Sequence, residues 1–303
     1  MVRTWPGPGK EGDAVWKTPS RIAYSTENKD LKANAFGYEV MPKMKSYSWT
    51  KLLLDGSTPS TEYDDPHLRK SEGDGMLKIP YYKTATDVAT DYLREVYKHT
   101  IKQLEKNISP EVLRITPLEF WFTVPAIWSD KAKAATQSAA KAAGFASRQG
   151  DKIYMIPEPE AAAVSTLSSL IEDGSTIQIK EGDGVLVCDC GGGTVDITTY
   201  KILNTSPGLR FEELIEGAGG KCGSTYIDRL FHMWMSKKFG AAFDNVKFEK
   251  KGPGSRFMKD FEGHKKDFGT KQDLDHVYEI ELVMNADSSG YYDDDESLVR
   301  LKG

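Results

Sequence analysis

Residues 189–196 read Asp-Cys-Gly-Gly-Gly-Thr-Val-Asp, so two carboxylates flank three consecutive glycines and a threonine. Gly191, Gly192 and Gly193 carry no Cβ to keep backbone N–H groups away from an anion, and their tolerance of positive φ lets successive amides converge on one phosphate. Thr194 adds a hydroxyl donor. Asp189 and Asp196 would repel a bare phosphate but could hold a hydrated Mg²⁺ that is itself bound to phosphate oxygens. The plain alternative is a flexible turn with solvated aspartates. To present the glycines at a tip, the flanks must be strands. Val185–Cys188 is a short apolar run, and 195–203 is rich in β-branched residues, which predicts a hairpin.

Glu158 lies between Pro157 and Pro159. Pro159 fits the start of a helix, where its missing N–H costs nothing. Residues 152–156 read as a strand, which sets Glu158 at a strand's C-terminal end, where open α/β sheets assemble ligand sites. A carboxylate there can orient a water or a Mg²⁺-bound water, or simply cap the helix dipole. Gly217, Gly219, Gly220 and Gly223 predict a glycine turn, with Ser224 capping a helix that has Ile227, Leu230, Phe231 and Trp234 on one face. A further helix is predicted over 255–268, with Phe257 and Phe261 inward. Glu262, Lys265 and Lys266 share one of its faces at three- and four-residue spacing.

The remaining pattern predicts strands at 21–24 and 36–40, an amphipathic helix over 87–106, and a strand at 118–124 stopped by Pro125. Ser129 caps an Ala-rich helix running to Gly144. Strands follow at 209–215 and 278–284. Residues 56–75 read as an inserted polar loop, 167–179 as a helix end and polar linker that puts a lobe boundary near 172–183, and 287–296 as an acidic loop.

Forty basic against forty-five acidic residues give a net charge of −5 without a basic block, which argues against nucleic acid as a partner. A hydrophobic content of 39% with 11% aromatics suffices for a globular core. No apolar run reaches membrane-spanning length, and the first residues do not resemble a signal segment, so a cytoplasmic protein is expected. The three cysteines, Cys188, Cys190 and Cys222, form no disulfide framework. Cys188 and Cys190 read as structural residues on one face of a strand. The five histidines lack metal-ligand spacing.

Four ordered stretches carry a resemblance. The Asp189-x-Gly-Gly-Gly-Thr-x-Asp196 hairpin resembles the second phosphate loop of the actin-like ATPases, in the form used by the 70-kDa heat-shock chaperones. Phe122-Thr-Val-Pro-Ala126, Ile156-Pro-Glu-Pro-Glu-Ala-Ala-Ala163 and Gly219-Gly-Lys-Cys-Gly-Ser224 leading into Asp228 are similar to that family's other signatures, the last in a variant associated with divergent, fungal-type members. The resemblance implies an α/β, two-lobed actin-like ATPase (ribonuclease H-like) fold. It divides the chain into a small lobe over 1–182 (an outer subdomain over 1–82 and an inner one over 83–182) and a portion of a large lobe over 183–303 (inner over 183–218, outer over 219–303). It implies ATP or ADP with Mg²⁺ as ligands, and client proteins or co-chaperones as partners. Lys51 matches the family lysine that reaches the γ-phosphate; the residue-level alternative is a surface lysine packed on Trp49. Glu158, Asp189 and Asp196 would order the metal hydration shell and attacking water. Thr194 and the glycines, including Gly219 and Gly220, would hold phosphate, while Glu262, Lys265 and Lys266 would clasp adenosine.

Nothing before residue 20 matches the family's first phosphate loop, and no match to its adenine-side Gly-Gly turn precedes Gly303. An ATPase domain incomplete at both ends is therefore expected, with uncovered apolar sheet faces. Two alternatives stay open: a nucleotide-binding or protein-interaction module without turnover, and a metabolite kinase, for which no sugar-binding constellation is seen.

Overall fold

The computed structural model describes residues 2–7, 15–55, 79–172, 178–270 and 276–302. The predicted loop at 56–75 lies outside these residues. Strand β1 (Arg21–Ala23) lies between β2 (Ala35–Phe36) and β3 (Tyr47–Ser48), both antiparallel to it. The strand predicted at 36–40 ends early. Gly37 has φ +57°, and the chain enters a 3₁₀ turn over Gly37–Glu39. A Cβ at Gly37 would lie 2.1 Å from the Thr18 hydroxyl, so close approach as well as φ selects glycine here.

Helix α1 (Thr50–Leu53) follows directly, and α2 spans Ala85–Leu104. Thr84 caps α2 reciprocally: its hydroxyl accepts from Asp87 N at 3.1 Å, while the Asp87 carboxylate accepts from Thr84 N at 2.8 Å. A short helix α3 (Pro110–Ile115), capped by Ser109, had no periodic signal long enough to predict it. Strands β4 (Glu119–Val124) and β5 (Lys152–Pro157) pair in parallel, joined through α4 (Asp130–Ala143). The Ser129 cap and the Gly144 stop form as expected, Gly144 at φ +114°. Buried Ala132, Ala139, Ala140 and Ala143 let α4 close on its neighbours, and Ala140 and Ala143 pack with Phe145, Tyr97, Phe120 and Phe122.

Helix α5 (Glu158–Glu172) packs on β6 (Gly184–Cys190) and β7 (Val195–Asn204), and β8 (Arg210–Gly220) completes an antiparallel sheet ordered β6-β7-β8. Ala163 and Leu167 of α5 bury Tyr200, Ile202, Val185 and Val187. The opposite face is uncovered among the described residues, with Leu186, Ile197 and Ile215 exposed to 64, 40 and 69%. On β4 the exposed Trp121 stacks on Tyr154 with ring centroids 4.4 Å apart.

The C-terminal region comprises α6 (Ser224–Phe239), α7 (Ala241–Asp244), α8 (Phe248–Lys251) and α9 (Arg256–Asp267), packed on β9 (Val277–Glu281), β10 (Tyr292–Asp293) and β11 (Leu298–Lys302), in sheet order β10-β11-β9. Phe231, Met235, Phe257, Phe261, Ile280 and Val299 form its core, with Phe231 and Phe261 stacked at 3.9 Å. Two expectations for α6 are corrected. Its N-cap is Gly223, with Ser224 already inside the helix. Its buried face carries Phe231 and Met235, whereas Ile227 and Leu230 are exposed. The acidic stretch at 287–296 contains β10, which pairs with the unpredicted β11.

Candidate functional site

The hairpin forms where the sequence places it. Cys190 pairs with Val195 and Asp189 with Asp196, and Gly191 N donates to Thr194 O at 2.9 Å across the tip. Among the described residues the amides of Gly192, Gly193 and Thr194 donate to no backbone carbonyl, leaving three successive donors. A Cβ on Gly192 would meet nothing within 4 Å, so this side of the tip is open. Thr194 itself is buried, 4% exposed.

The glycine turn expected over 217–223 is instead the end of β8. Gly219 and Gly220 pair with Asp196 and Val195, and a Cβ on Gly219 would lie 2.5 Å from Val195 O. Beyond β8, backbone docks tightly on backbone. Gly223 N, Ser224 N and Thr225 N donate to Gly193, Gly191 and Gly192 carbonyls at 3.2, 3.0 and 2.9 Å. The first amides of α6 are thus spent on the hairpin, and the hairpin's carbonyls are turned to the helix.

Three distant segments close around this tip. A Cβ on Gly193 would lie 2.8 Å from Leu52 of α1, which sets the neighbouring Lys51 beside the hairpin. The Lys51 ammonium is ion-paired with the Glu158 carboxylate at the start of α5. It also lies 5.7 Å from the Trp128 ring rather than on Trp49. Buried Asp55 accepts from Ser129 Oγ at 2.9 Å and pairs with Lys221 at 3.1 Å, tying the end of α1 to the α4 cap and to the turn before α6. Sequence reasoning missed Asp55 and Lys221. Their only signal was a charge directly after an apolar run and another inside a glycine cluster.

Asp196 is wholly buried, and one of its oxygens accepts from Ala126 N and Ile127 N at 2.9 and 3.3 Å. That anchors the hairpin to the turn after β4. Its other oxygen is buried without a hydrogen-bond partner among the described residues. Asp189 is half-buried and is the direct cross-strand neighbour of Asp196. Like charges in that relation are unfavourable unless a cation or proton intervenes. A buried carboxylate oxygen without a partner among the described residues, on a residue paired across the strands with a second aspartate, fits a hydrated Mg²⁺, whose ligands are oxygens and water.

The charged residues of α9 face a second region of the site. Lys265 Nζ lies 2.8 Å from Asp228 of α6 and 2.5 Å from Glu262, and Lys266 lies 3.3 Å from Glu262. Burial lifts the Asp228 carboxyl above the usual carboxylate range despite Lys265. Burial opposes the charge on Lys265, but Asp228 and Glu262 outweigh it and raise its pKa. At Glu262 burial is likewise outweighed, and the two lysines hold its pKa below the ordinary value. Beside this cluster a cavity of about 930 Å³ runs between α6 and α9 and the N-terminal segment, lined by Arg21, Trp49, Thr225, Asp228, His232 and Lys265. Trp49 adopts φ +58°, a left-handed conformation uncommon for a bulky residue, and the Arg229 guanidinium sits 5.8 Å from its ring. His232 is desolvated beside Lys251, and its pKa falls to about 4. Trp49 and His232 were not singled out from sequence, because neither carries a motif.

A family profile described as Hsp70 protein matches residues 17–297. The chain is 26% identical to human heat shock 70 kDa protein 12B over 80% of its length and 42% of that protein's. It is 25% identical to human heat shock 70 kDa protein 12A, over 88% of the chain and 46% of the relative. With the Yersinia enterocolitica chaperone protein HscA it shares 25% identity over 73% of the chain and 33% of the relative. The chain thus spans less than half the length of these curated relatives. Among the described residues no helix is long and apolar enough to cross a membrane. A mixed α/β fold with the glycine hairpin at its centre, matched by the profile over nearly its whole length, makes the chain a member of the Hsp70 family, within the actin-like ATPases.

Proposed function

We propose that this nucleotide-binding domain holds ATP or ADP with Mg²⁺ between the hairpin tip, the Lys51–Glu158 pair and the α6–α9 cavity, and hydrolyses ATP as one domain of a heat-shock-70-like chaperone. The observation that carries the reading is the Lys51–Glu158 ion pair beside three successive amides that, among the described residues, lack carbonyl partners. The Gly192, Gly193 and Thr194 amides would receive phosphate oxygens. Lys51, partly released from Glu158, would offset charge on the transferring group. Glu158 would then accept a hydrogen bond from the attacking water. Asp189 and the free oxygen of Asp196 would accept from metal-bound waters, and the Mg²⁺ would supply charge neutralisation of the phosphates. Asp228, Glu262 and Lys265 line the cavity that would take the nucleoside, with Lys266 paired to Glu262 beside it. The division into lobes at 182/183, a cytoplasmic setting, and client proteins or co-chaperones as partners belong to the same proposal.

A second reading, nucleotide binding without turnover, is favoured by one observation. Both Lys51 and one oxygen of Asp196 are already engaged by protein groups. Thermal unfolding of the purified chain with Mg²⁺ and ATP, ADP or no nucleotide tests the first step, because a ligand of the folded state raises the melting temperature. The expected result is a rise that Asp189→Asn abolishes. A transition indifferent to nucleotide sinks both readings. A rise without phosphate release selects the second.

A further inference from the structure

The face of β6 opposite Asp189 carries a feature that the nucleotide reading does not use. Cys188 and Cys190 are both exposed, and their sulfurs lie 3.6 Å apart. Their direct neighbours on β7 are Ile197 and Val195, on the sheet face that is uncovered among the described residues. Two thiols at van der Waals contact and open to solvent are positioned for joint oxidation. We propose that Cys188 and Cys190 form a reversible redox modification site, closing to an intrastrand disulfide in the presence of a peroxide oxidant and reopening with a dithiol reductant.

The chemistry balances without a group from elsewhere in the protein. One thiolate attacks the peroxide, the O–O bond breaks, and hydroxide leaves and takes a proton, giving a sulfenic acid. The second thiolate attacks that sulfur and expels the remaining oxygen as water. Two thiol hydrogens and two electrons have then passed to the peroxide, which becomes two waters. A dithiol reverses this by thiol–disulfide exchange and is itself oxidised.

The geometry also sets the consequence. Residues two apart in a strand have Cα atoms about 6.7 Å apart, at the long end of the ~4.4–6.8 Å range of disulfides, whose mode is ~5.5–6 Å. Closing the bond towards that mode shortens the strand at Asp189. Among the described residues strand β6 is an edge strand whose one ladder is with β7, so this bending disturbs that ladder. The ladder it disturbs is the Asp189–Asp196 and Cys190–Val195 register that sets the hairpin tip. A bond strained in this way is readily reduced, which makes it reversible.

The test uses the reduced full chain treated with hydrogen peroxide, quenched, alkylated with iodoacetamide and digested with trypsin. Cleavage after Lys180 and Lys201 yields one peptide holding Cys188 and Cys190 without Cys222. The expected result is that this peptide loses two hydrogens, resists alkylation, and regains both thiols after dithiothreitol. Cys222→Ser should leave this unchanged, and Cys188→Ser should remove it. Amide hydrogen exchange at 191–195 should quicken about tenfold in the oxidised form, as a loosened tip opens locally more often. Full alkylation of both residues after peroxide, sulfinic acid on either, or a link to Cys222 overturns the site. Unchanged exchange at 191–195 overturns its coupling to the hairpin. Neither readout involves nucleotide, so failure of the nucleotide reading leaves this result standing.

Discussion

The hairpin tip and the Asp228–Lys265–Glu262 cluster border one candidate site but are built in opposite ways. The tip is made of backbone. Its fit depends on glycines whose missing Cβ atoms let Gly219 and Gly223 touch neighbouring main chain. The cluster is made of side chains on two helices, and its fit depends on charge pairing that outweighs burial. Backbone contacts cannot relax when crowded, whereas long side chains can turn aside. The tip should therefore fail abruptly on substitution and the cluster by degrees.

The sharpest break is expected at Gly223. An added Cβ would lie 2.6–2.7 Å from Gly191 O, Gly192 C and Gly193 C. Gly223→Ala should cost about 3 kcal/mol in urea unfolding, while Gly192→Ala, with open space around it, should cost under about 1 kcal/mol. Equal effects would refute the backbone account of the tip. Acidification probes the cavity wall next. His232 titrates near 4 in the fold and near 6.5 unfolded, so the unfolded chain binds more protons between those values. Its contribution is present above pH 6.5 and is lost as pH falls towards 4, up to about 3 kcal/mol. Urea midpoints measured across that window should fall with pH in the natural chain and fall less in His232→Gln.

Within the cluster, Lys265→Met leaves Asp228 and Glu262 without their shared cation and should cost about 2 kcal/mol. Lys266→Met, at a side chain 71% exposed, should cost under about 0.5 kcal/mol. Reversal of that order by calorimetry would show that the cluster is held by something other than Lys265. A comparably small stability effect is expected for Lys51→Ala, since its side chain is 48% exposed. Its expected signature is loss of phosphate release with little change in melting temperature.

Local chemistry made much of this legible. The hairpin, the Ser129 cap, the Gly144 stop and the helix entrance at Glu158 follow from turn residues, capping preferences and strand patterns that act over a few positions. Misreadings arose where tertiary contacts overrode such signals. Gly217–Gly220 looks like a turn, yet the need to lie against Val195 and Asp196 keeps it in a strand. Residues 36–40 look extended, but a close approach to Thr18 bends the chain at Gly37. Ile227 and Leu230 share a helical stripe with Phe231 but stay exposed, whereas Phe231, Met235 and the partly buried Trp234 meet the core formed by α9 and the C-terminal sheet.

By itself the sequence determined the order of the longer elements, the glycine tip between two aspartates, and the charged face of α9, because spacing along a strand or helix fixes which residues are neighbours. Only the tertiary structure decided that Lys51 meets Glu158, that Asp55 receives Lys221, and that one oxygen of Asp196 is occupied by amides after β4 while the other is left bare. Those contacts join residues between 69 and 166 positions apart. No periodicity reaches that far, and packing of the sheets and helices is what brings them together.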